Sequence, residues 1–210
     1  MTDKFIESLV QEATVVKPAR NPFVTSAIWV SLTTLYLLAV AAIYMNYRAD
    51  LLAKLGQPTF LAEIALLVGI IITSAISAAL LTFPDLHQKR WLTLLPALMF
   101  MLLAITIGLA WQADNPPAAP PLHEWHCTLE IALLALVPAA WLFYSTRNHA
   151  STHPYFTGST ALLSAFGIGA LSLRLSEQTD SITHVLQWHY LPLIVVAFIG
   201  AYLGKIWLRW

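Results

Sequence analysis

Six long apolar segments constrain the fold of this chain more than any other feature of its sequence. They cover residues 26–47, 60–82, 91–111, 127–145, 156–172 and 190–207. A helix needs about 20 apolar residues to cross about 30 Å of hydrocarbon. The segments between them are short and hold the proline and glycine residues typical of turns. We therefore predict an all-α, polytopic membrane protein built as a bundle of six transmembrane helices.

Composition supports this class and argues against others. Of the 210 residues, 58% are apolar and 10% are charged, which is far from the balance of a soluble domain. The 11 basic and 11 acidic residues leave no net charge, so direct binding of nucleic acid is not expected. A single cysteine excludes an internal disulfide and any CxxC zinc motif.

The orientation in the membrane follows from the basic residues, which stay on the cytoplasmic side of short loops. With both termini in the cytoplasm, eight of the 11 fall on that side and three on the other. The inner set is Lys4, Lys17, Arg20, Lys89, Arg90, Arg147, Lys205 and Arg209, and the outer set is Arg48, Lys54 and Arg174. We expect a multi-pass protein of the inner membrane with both termini inside.

The N-terminal 25 residues form a separate cytoplasmic region ahead of the transmembrane domain, residues 26–210. Apolar side chains recur at one face of a short predicted amphipathic helix, namely Phe5, Ile6, Leu9 and Val10. The opposite face carries more acidic than basic charge, which does not favour anionic lipid. Two interpretations fit: a helix lying on the headgroups or on its own bundle, or a surface for a protein partner.

Potential metal ligands gather in the predicted outer loops. His123, His126 and Cys127 lie at the start of the fourth span, and His184 and His189 precede the sixth. Imidazole and thiolate together suit Zn²⁺ or another transition-metal ion. The spacing matches no named metal motif, so the alternative is a set of ordinary interfacial residues. The hypothesis is a metal or redox-sensing site at the periplasmic face.

Evidence for transport or catalysis is weak in this sequence. The middle of each predicted span lacks acidic, basic and histidine residues, which a proton or ion path would need. Glu63, Glu130 and Arg174 lie near the outer span ends, where we expect an ion pair or a wet crevice. No GxSxG or HExxH motif is present. A channel or transporter and a structural membrane subunit remain alternatives, and no enzymatic activity is expected.

Gly200 and Gly204 form a GxxxG arrangement in the last span. Small residues let two helix backbones approach closely. Packing within the bundle and homodimerisation both fit this pattern.

Several segments, taken in order, resemble the negative regulator of sigma F family. They are the Val-Lys-Pro stretch at 16–18, Arg48 to Leu51 after the first span, Cys127 opening the fourth, Pro154 and Gly158, Trp188 and Tyr190, Gly200 and Gly204, and the terminal Leu-Arg-Trp at 208–210. The resemblance extends over nearly the whole chain. It implies a membrane anti-sigma factor that sequesters an extracytoplasmic-function sigma factor and releases it under envelope, metal or oxidative stress.

The resemblance also implies two outer cysteines, and this chain has one. Cys127 corresponds to the first, whereas the position that resembles the second carries Leu175. A switch between two thiols of one chain is therefore impossible. Cys127 remains the predicted sensor, either as a metal ligand with nearby histidines or as a cross-link between two protomers. The predicted sigma-factor contacts are Phe5, Ile6, Leu9 and Val10.

Overall fold

The computed structural model describes residues 6–7, 10, 20–44, 47–83, 90–113, 124–147, 149 and 151–208. Within these residues the regular structure is helical. The helices are α1 (Pro22–Tyr44), α2 (Leu51–Leu55), α3 (Pro58–Leu80), α4 (Leu95–Ala113), α5 (Trp125–Arg147), α6 (Pro154–Ser176), α7 (Ile182–Val185) and α8 (Leu191–Trp207). A 3-10 turn, Arg90–Leu94, precedes α4, and one π-helical turn, Leu186–Tyr190, joins α7 to α8.

The prediction of six membrane-spanning helices is confirmed. Six helical stretches of the described chain are long and apolar enough to cross a membrane. They are Pro22–Val40, Pro58–Leu80, Trp91–Gln112, Trp125–Arg147, Pro154–Ser176 and Ile182–Trp207. Large apolar side chains such as Phe198 and Ile43 are 74% and 70% exposed in the isolated chain. An apolar surface of this kind fits a bundle surrounded by lipid.

The first and last spans begin earlier than the apolar pattern predicts. Helix α1 starts at Pro22 rather than at residue 26, because the Asn21 side chain accepts a hydrogen bond from the N–H of Phe23 at 2.9 Å and caps the helix. The last span starts at Ile182 rather than at residue 190. Its first turns carry Thr183 and His184, polar residues that lower hydropathy but are buried inside the bundle.

Helix α6 lies at the centre of the bundle. About 72% of its membrane window is buried, against 39% for the next most buried span. Its buried face is rich in small residues, namely Gly158, Ala161, Ser164, Ala165, Gly167, Gly169, Ala170 and Ser172. Small side chains allow α3, α5 and α8 to pack closely around it. The hydroxyl of Ser164 donates a hydrogen bond to the carbonyl of Ile71 in α3 at 2.8 Å.

The GxxxG glycines of α8 pack within the chain. Gly200 and Gly204 are buried against Gly158 of α6, and a Cβ atom on Gly204 would collide with the carbonyl oxygen of Pro154. Their face is therefore covered by α6 and is not available to a second copy. Of the two interpretations of this motif, the structure supports packing within the bundle.

Replacing Gly158 by alanine should destabilise the protein by about 1–3 kcal/mol, because the new Cβ would meet the backbone of Gly200 and Gly204, which cannot move without separating the helices. The matched control is Gly108→Ala in α4, where a Cβ meets nothing within 4 Å. Thermal unfolding of both variants in detergent measures the difference. Equal melting temperatures would contradict the α6–α8 packing described here.

The two ends of the bundle differ in character. One end, which we call the polar end, joins residues 47–63, the start of α5 and residues 172–190, and its contacts include many ionisable side chains. At the other end, which we call the N-terminal end, the start of α1 packs against the ends of α3 and α5. The hydroxyl of Ser151 donates to the carbonyl of Leu81 there at 3.4 Å.

Candidate metal centre and ion-pair network

Hydrogen bonds to backbone carbonyl groups bring distant segments together at the polar end. The N–H of Arg48 donates to the carbonyl oxygen of Leu175 at 3.3 Å, which joins the turn after α1 to the end of α6. The hydroxyl of Thr128 donates to the carbonyl oxygen of Trp188 at 2.7 Å, which joins α5 to the π-helical turn. Side chains that are far apart in sequence therefore share one small volume.

Four potential metal ligands meet in that volume. Cys127, Glu177, His184 and His189, which we call the donor cluster, each offer one ligand atom, and these atoms lie within 4.8 Å of one another. The thiol Sγ lies 3.7 Å from Nε2 of His184 and donates to Oε1 of Glu177 at 3.8 Å. Glu177 also approaches both imidazoles, at 3.0 Å from Nε2 of His184 and 2.9 Å from Nε2 of His189.

The π-helical turn explains how both histidines face the same point. In a regular α-helix, residues five positions apart point about 140° away from each other around the axis. The π-helical turn Leu186–Tyr190 instead has hydrogen bonds between residues five apart, so it widens the helix after His184. The two rings come to a centroid distance of 5.2 Å at an angle of 73°. Both side chains are fully buried.

Several polar atoms of the donor cluster are buried without a hydrogen bond. They include both ring nitrogens of His189, Nδ1 of His184 and Oε2 of Glu177. Nε2 of His189 lies 2.9 Å from Oε2 of Glu177, and Nδ1 of His184 contacts Glu124, so these atoms have charged neighbours within the site. Leaving such groups unsatisfied is unfavourable in a protein interior. The cluster is thus a set of converging donor atoms rather than a satisfied hydrogen-bond network.

Acidic side chains stand on two sides of His184. Glu177 approaches Nε2, and Oε2 of Glu124 contacts Nδ1 from the outside of the cluster. Burial raises the pKa of Glu177, but the close approach of His189 and His184 outweighs burial, and the pKa of this carboxyl lies below its ordinary value. Glu177 is therefore an anion at neutral pH.

The predicted ligands divide into three groups. Cys127, His184 and His189 come together. His126 does not join them: it is exposed, and its ring stacks on Trp125 with centroids 4.3 Å apart. Successive residues of a helix point about 100° apart, so His126 and Cys127 cannot share one face of α5. His123 lies outside the described residues.

Glu177 is the ligand candidate that the sequence-based set omits. It lies in the last loop, two residues after Leu175, on the same predicted outer side as the histidines. The loop after α6 is extended at this position, which turns the side chain back towards α5. No periodic pattern crosses such a loop, and only its closeness in sequence to the histidines could have suggested it.

A second group of polar side chains, the arginine network, adjoins the donor cluster. Its members are Arg48, Asp50, Lys54, Glu63, Arg174, Asp180 and Tyr190. Asp180 is its centre: it accepts from Arg48 at 2.9 Å, from Lys54 at 2.7 Å and from Arg174 at 3.3 Å. Because Asp180 lies between Glu177 and His184 in sequence, one short loop contributes to both groups.

The charges of this network stabilise one another. The hydrogen bonds with Arg48 and Lys54 hold the pKa of Asp180 well below its ordinary value, although partial burial opposes the shift. The hydrogen bond from Arg48 also lowers the pKa of Asp50. In return, contact with Asp180 and Asp50 raises the pKa of Arg48. The turn after α1 is thereby held to the loop before α7 by fully ionised groups.

The expected ion pair near the outer span ends is present between Glu63 and Arg174. Both are 6% exposed, and Nε of Arg174 lies 2.7 Å from Oε1 of Glu63. The buried phenol of Tyr190 donates to the same carboxylate. The guanidinium of Arg174 also lies 4.8 Å above the ring of Phe60. Glu130, by contrast, is exposed on α5.

Only part of the predicted sigma-factor surface belongs to the described residues. Ile6 and Val10 are helical and are 54% and 68% exposed. Phe5 and Leu9 lie outside the described residues.

Six apolar helices, one of which is the small-residue helix at the centre, with buried ionisable groups at one end, define a multi-pass α-helical membrane protein. Within this class, a family model described as "Negative regulator of sigma F" matches residues 9–210, which is nearly the whole chain. The chain belongs to this family. The family description is that of a negative regulator whose partner is a sigma factor. No curated protein and no solved structure matches it.

Proposed function

We propose that the protein is an inner-membrane anti-sigma factor, without catalytic activity, that holds an extracytoplasmic-function sigma factor inactive on the cytoplasmic face and releases it under envelope, metal or oxidative stress. The match to the negative regulator of sigma F family over residues 9–210 carries this proposal. A sigma factor acts on RNA polymerase in the cytoplasm, so its binding surface must lie on that side.

The N-terminal segment is the best candidate for this surface. It precedes α1 at the N-terminal end of the bundle, and its helical residues Ile6 and Val10 expose apolar side chains. Burying two or three such side chains contributes about 1.5–3 kcal/mol each. That is enough to support a micromolar to nanomolar complex.

The polar end supplies a physical route for a signal. Arg48, in the turn after α1, pairs with Asp180, and the same loop carries Glu177 and leads to His184. A change at the donor cluster therefore reaches α1, whose other end continues into the N-terminal segment. Such a change shifts the equilibrium between two arrangements only if the signal favours one of them.

The alternative of a channel or transporter finds little support. A groove with a volume of about 880 Å³ opens between α4, α6 and α8, and among the described residues that line it none is acidic or basic apart from His153. Residues such as Trp91, Phe100 and Phe156 dominate it. An ion path requires charged or polar groups along its length.

Reporter fusions test the orientation on which the proposal depends. Fusions after Arg90 and after Arg147 should report the cytoplasm, and fusions near Asn115 and Gln178 should report the periplasm. An inverted pattern would place the N-terminal segment away from any sigma factor.

The proposed partner is tested by affinity capture of the detergent-solubilised full-length protein from its own host. We expect an extracytoplasmic-function sigma factor to be enriched over a capture with residues 1–21 deleted. Recovery of no sigma factor from intact membranes contradicts the proposal, and equal recovery from both proteins contradicts the assignment of its surface to the N-terminal segment.

A further inference from the structure

We propose that Cys127, Glu177, His184 and His189 bind one Zn²⁺-class ion. This site does not depend on the proposed sigma-factor complex. It also differs from the two-cysteine arrangement that the family resemblance implies, since three of its four ligands are not thiols and Leu175 occupies the second cysteine position.

The distances fit four-coordinate binding. Zinc bonds of about 2.0–2.3 Å in a tetrahedron hold ligand atoms about 3.3–3.6 Å apart. The four ligand atoms lie within 4.8 Å of one another. Sγ is 3.7 Å from Nε2 of His184 and 3.8 Å from Oε1 of Glu177, and the Glu177 carboxylate is 3.0 Å from His184 through Oε1 and 2.9 Å from His189 through Oε2. Shifts of less than about 1 Å in side chains therefore complete the site without moving a helix.

The buried atoms without hydrogen bonds point to the same conclusion. His189 is fully buried: its Nδ1 has no hydrogen-bond partner, and its Nε2 faces Oε2 of Glu177 at 2.9 Å. His184 is equally buried and presents Nε2 to the other donors. Metal coordination would satisfy one nitrogen of each ring at a place where water is excluded.

Charge selects a divalent ion. When bound, the Cys127 thiolate and the Glu177 carboxylate carry two negative charges, and two neutral imidazoles add none, so a 2+ ion is neutralised at a nearly dry site. The sulfur and nitrogen donors favour Zn²⁺ and similar transition metals over Ca²⁺ or Mg²⁺, which prefer oxygen ligands.

Glu124 adds the outer support that such sites use. Its Oε2 contacts Nδ1 of His184, the nitrogen turned away from the donor cluster. A carboxylate in this place orients a metal-binding histidine and increases its basicity. The bound ion would connect the start of α5 to the loop and π-helical turn before α8.

Cobalt provides the direct test, because Co²⁺ reports its ligands by absorption. Full-length protein carrying a tag without histidines is purified in detergent, stripped with a chelator and titrated with Co²⁺. We expect one ion per chain, an intense near-ultraviolet thiolate-to-cobalt band, and displacement by Zn²⁺. Since the chain has a single cysteine, this band reports Cys127 alone.

Substitutions distinguish the four ligands from their neighbours. Cys127→Ser should abolish the thiolate band, and Glu177→Gln, His184→Ala and His189→Ala should each weaken binding more than about 10-fold. Glu124→Gln should weaken it about 10- to 100-fold through His184. The control is His126→Ala, an exposed histidine of the same helix, which should leave affinity unchanged.

If a variant fails to fold, the wild-type protein by itself still tests whether the donor cluster binds metal. Zn²⁺ should protect Cys127 from alkylation at one equivalent per chain. The proposal is overturned if wild-type protein shows no thiolate band and no protection, or if a folded His184→Ala/His189→Ala variant binds as tightly as wild type. Either result would leave the donor cluster as a set of buried ion pairs.

Discussion

Glu63→Ala is expected to destabilise the protein by about 3 kcal/mol. The substitution removes the carboxylate that pairs with Arg174 and accepts from Tyr190, and it leaves a guanidinium that is 6% exposed. Removing one partner of a buried ion pair costs about 3–5 kcal/mol. We expect the lower end of that range because Arg174 keeps its contact with Asp180 at 3.3 Å. In a chain of this size, the melting temperature should fall by about 6–12 °C.

The matched control is Glu130→Ala, which removes an exposed carboxylate from α5 and should change stability by less than about 0.5 kcal/mol. A double variant, Glu63→Leu with Arg174→Met, should recover much of the loss because it leaves neither charge unpaired. Thermal unfolding in detergent compares the three proteins. If the Glu63→Ala and Glu130→Ala variants have the same melting temperature, the buried ion pair does not stabilise the bundle.

Leu9→Asp is expected to weaken sigma-factor binding at least about 10-fold. Leu9 belongs to the predicted apolar face with Phe5, Ile6 and Val10, and burial of one such side chain contributes about 1.5–3 kcal/mol, or roughly 10- to 150-fold in affinity. An aspartate in its place also brings a charge that the interface would have to desolvate. Capture of the sigma factor by solubilised protein measures the effect, and immunoblotting of membranes checks that protein levels are unchanged.

Gln11→Asp is the matched control, because it adds the same charge to the same predicted helix away from the apolar face. It should retain binding. Equal loss in both variants would indicate a general effect of negative charge, and unchanged binding in Leu9→Asp would remove this helix from the sigma-factor surface.

The spans were predictable from sequence because the bilayer imposes a single requirement on each. About 20 apolar residues must cover the hydrocarbon, and every backbone group must be satisfied within the helix. This requirement is local, so 60–82 and 127–145 could be placed within a few residues of α3 and α5. Hydropathy misplaces the start of the last span, because Thr183 and His184 lower the hydropathy of this segment although both are buried inside the bundle.

The pairing of the spans was not predictable in this way. The Gly200 and Gly204 pattern fits two helices of one chain as well as two chains, since close backbone approach needs only small residues on both sides. In the structure, Gly200 and Gly204 pack against Gly158 of α6. Likewise, sequence showed that Glu63 and Arg174 needed partners, but their separation of 111 residues hid that they are partners of each other.

The sequence by itself determined the class of protein, the number of spans and the resemblance to the negative regulator of sigma F family, because hydropathy and motif order are properties of the linear chain. The tertiary structure alone decided the composition of the donor cluster. Cys127 and His184 are 57 residues apart, and Glu177 is 50 residues from Cys127. Whether their side chains meet depends on how α5 packs against α6 and on the π-helical turn that rotates His189 towards His184. Neither the packing of two helices nor a local change of helix type produces a repeating pattern in the sequence from which it could be predicted.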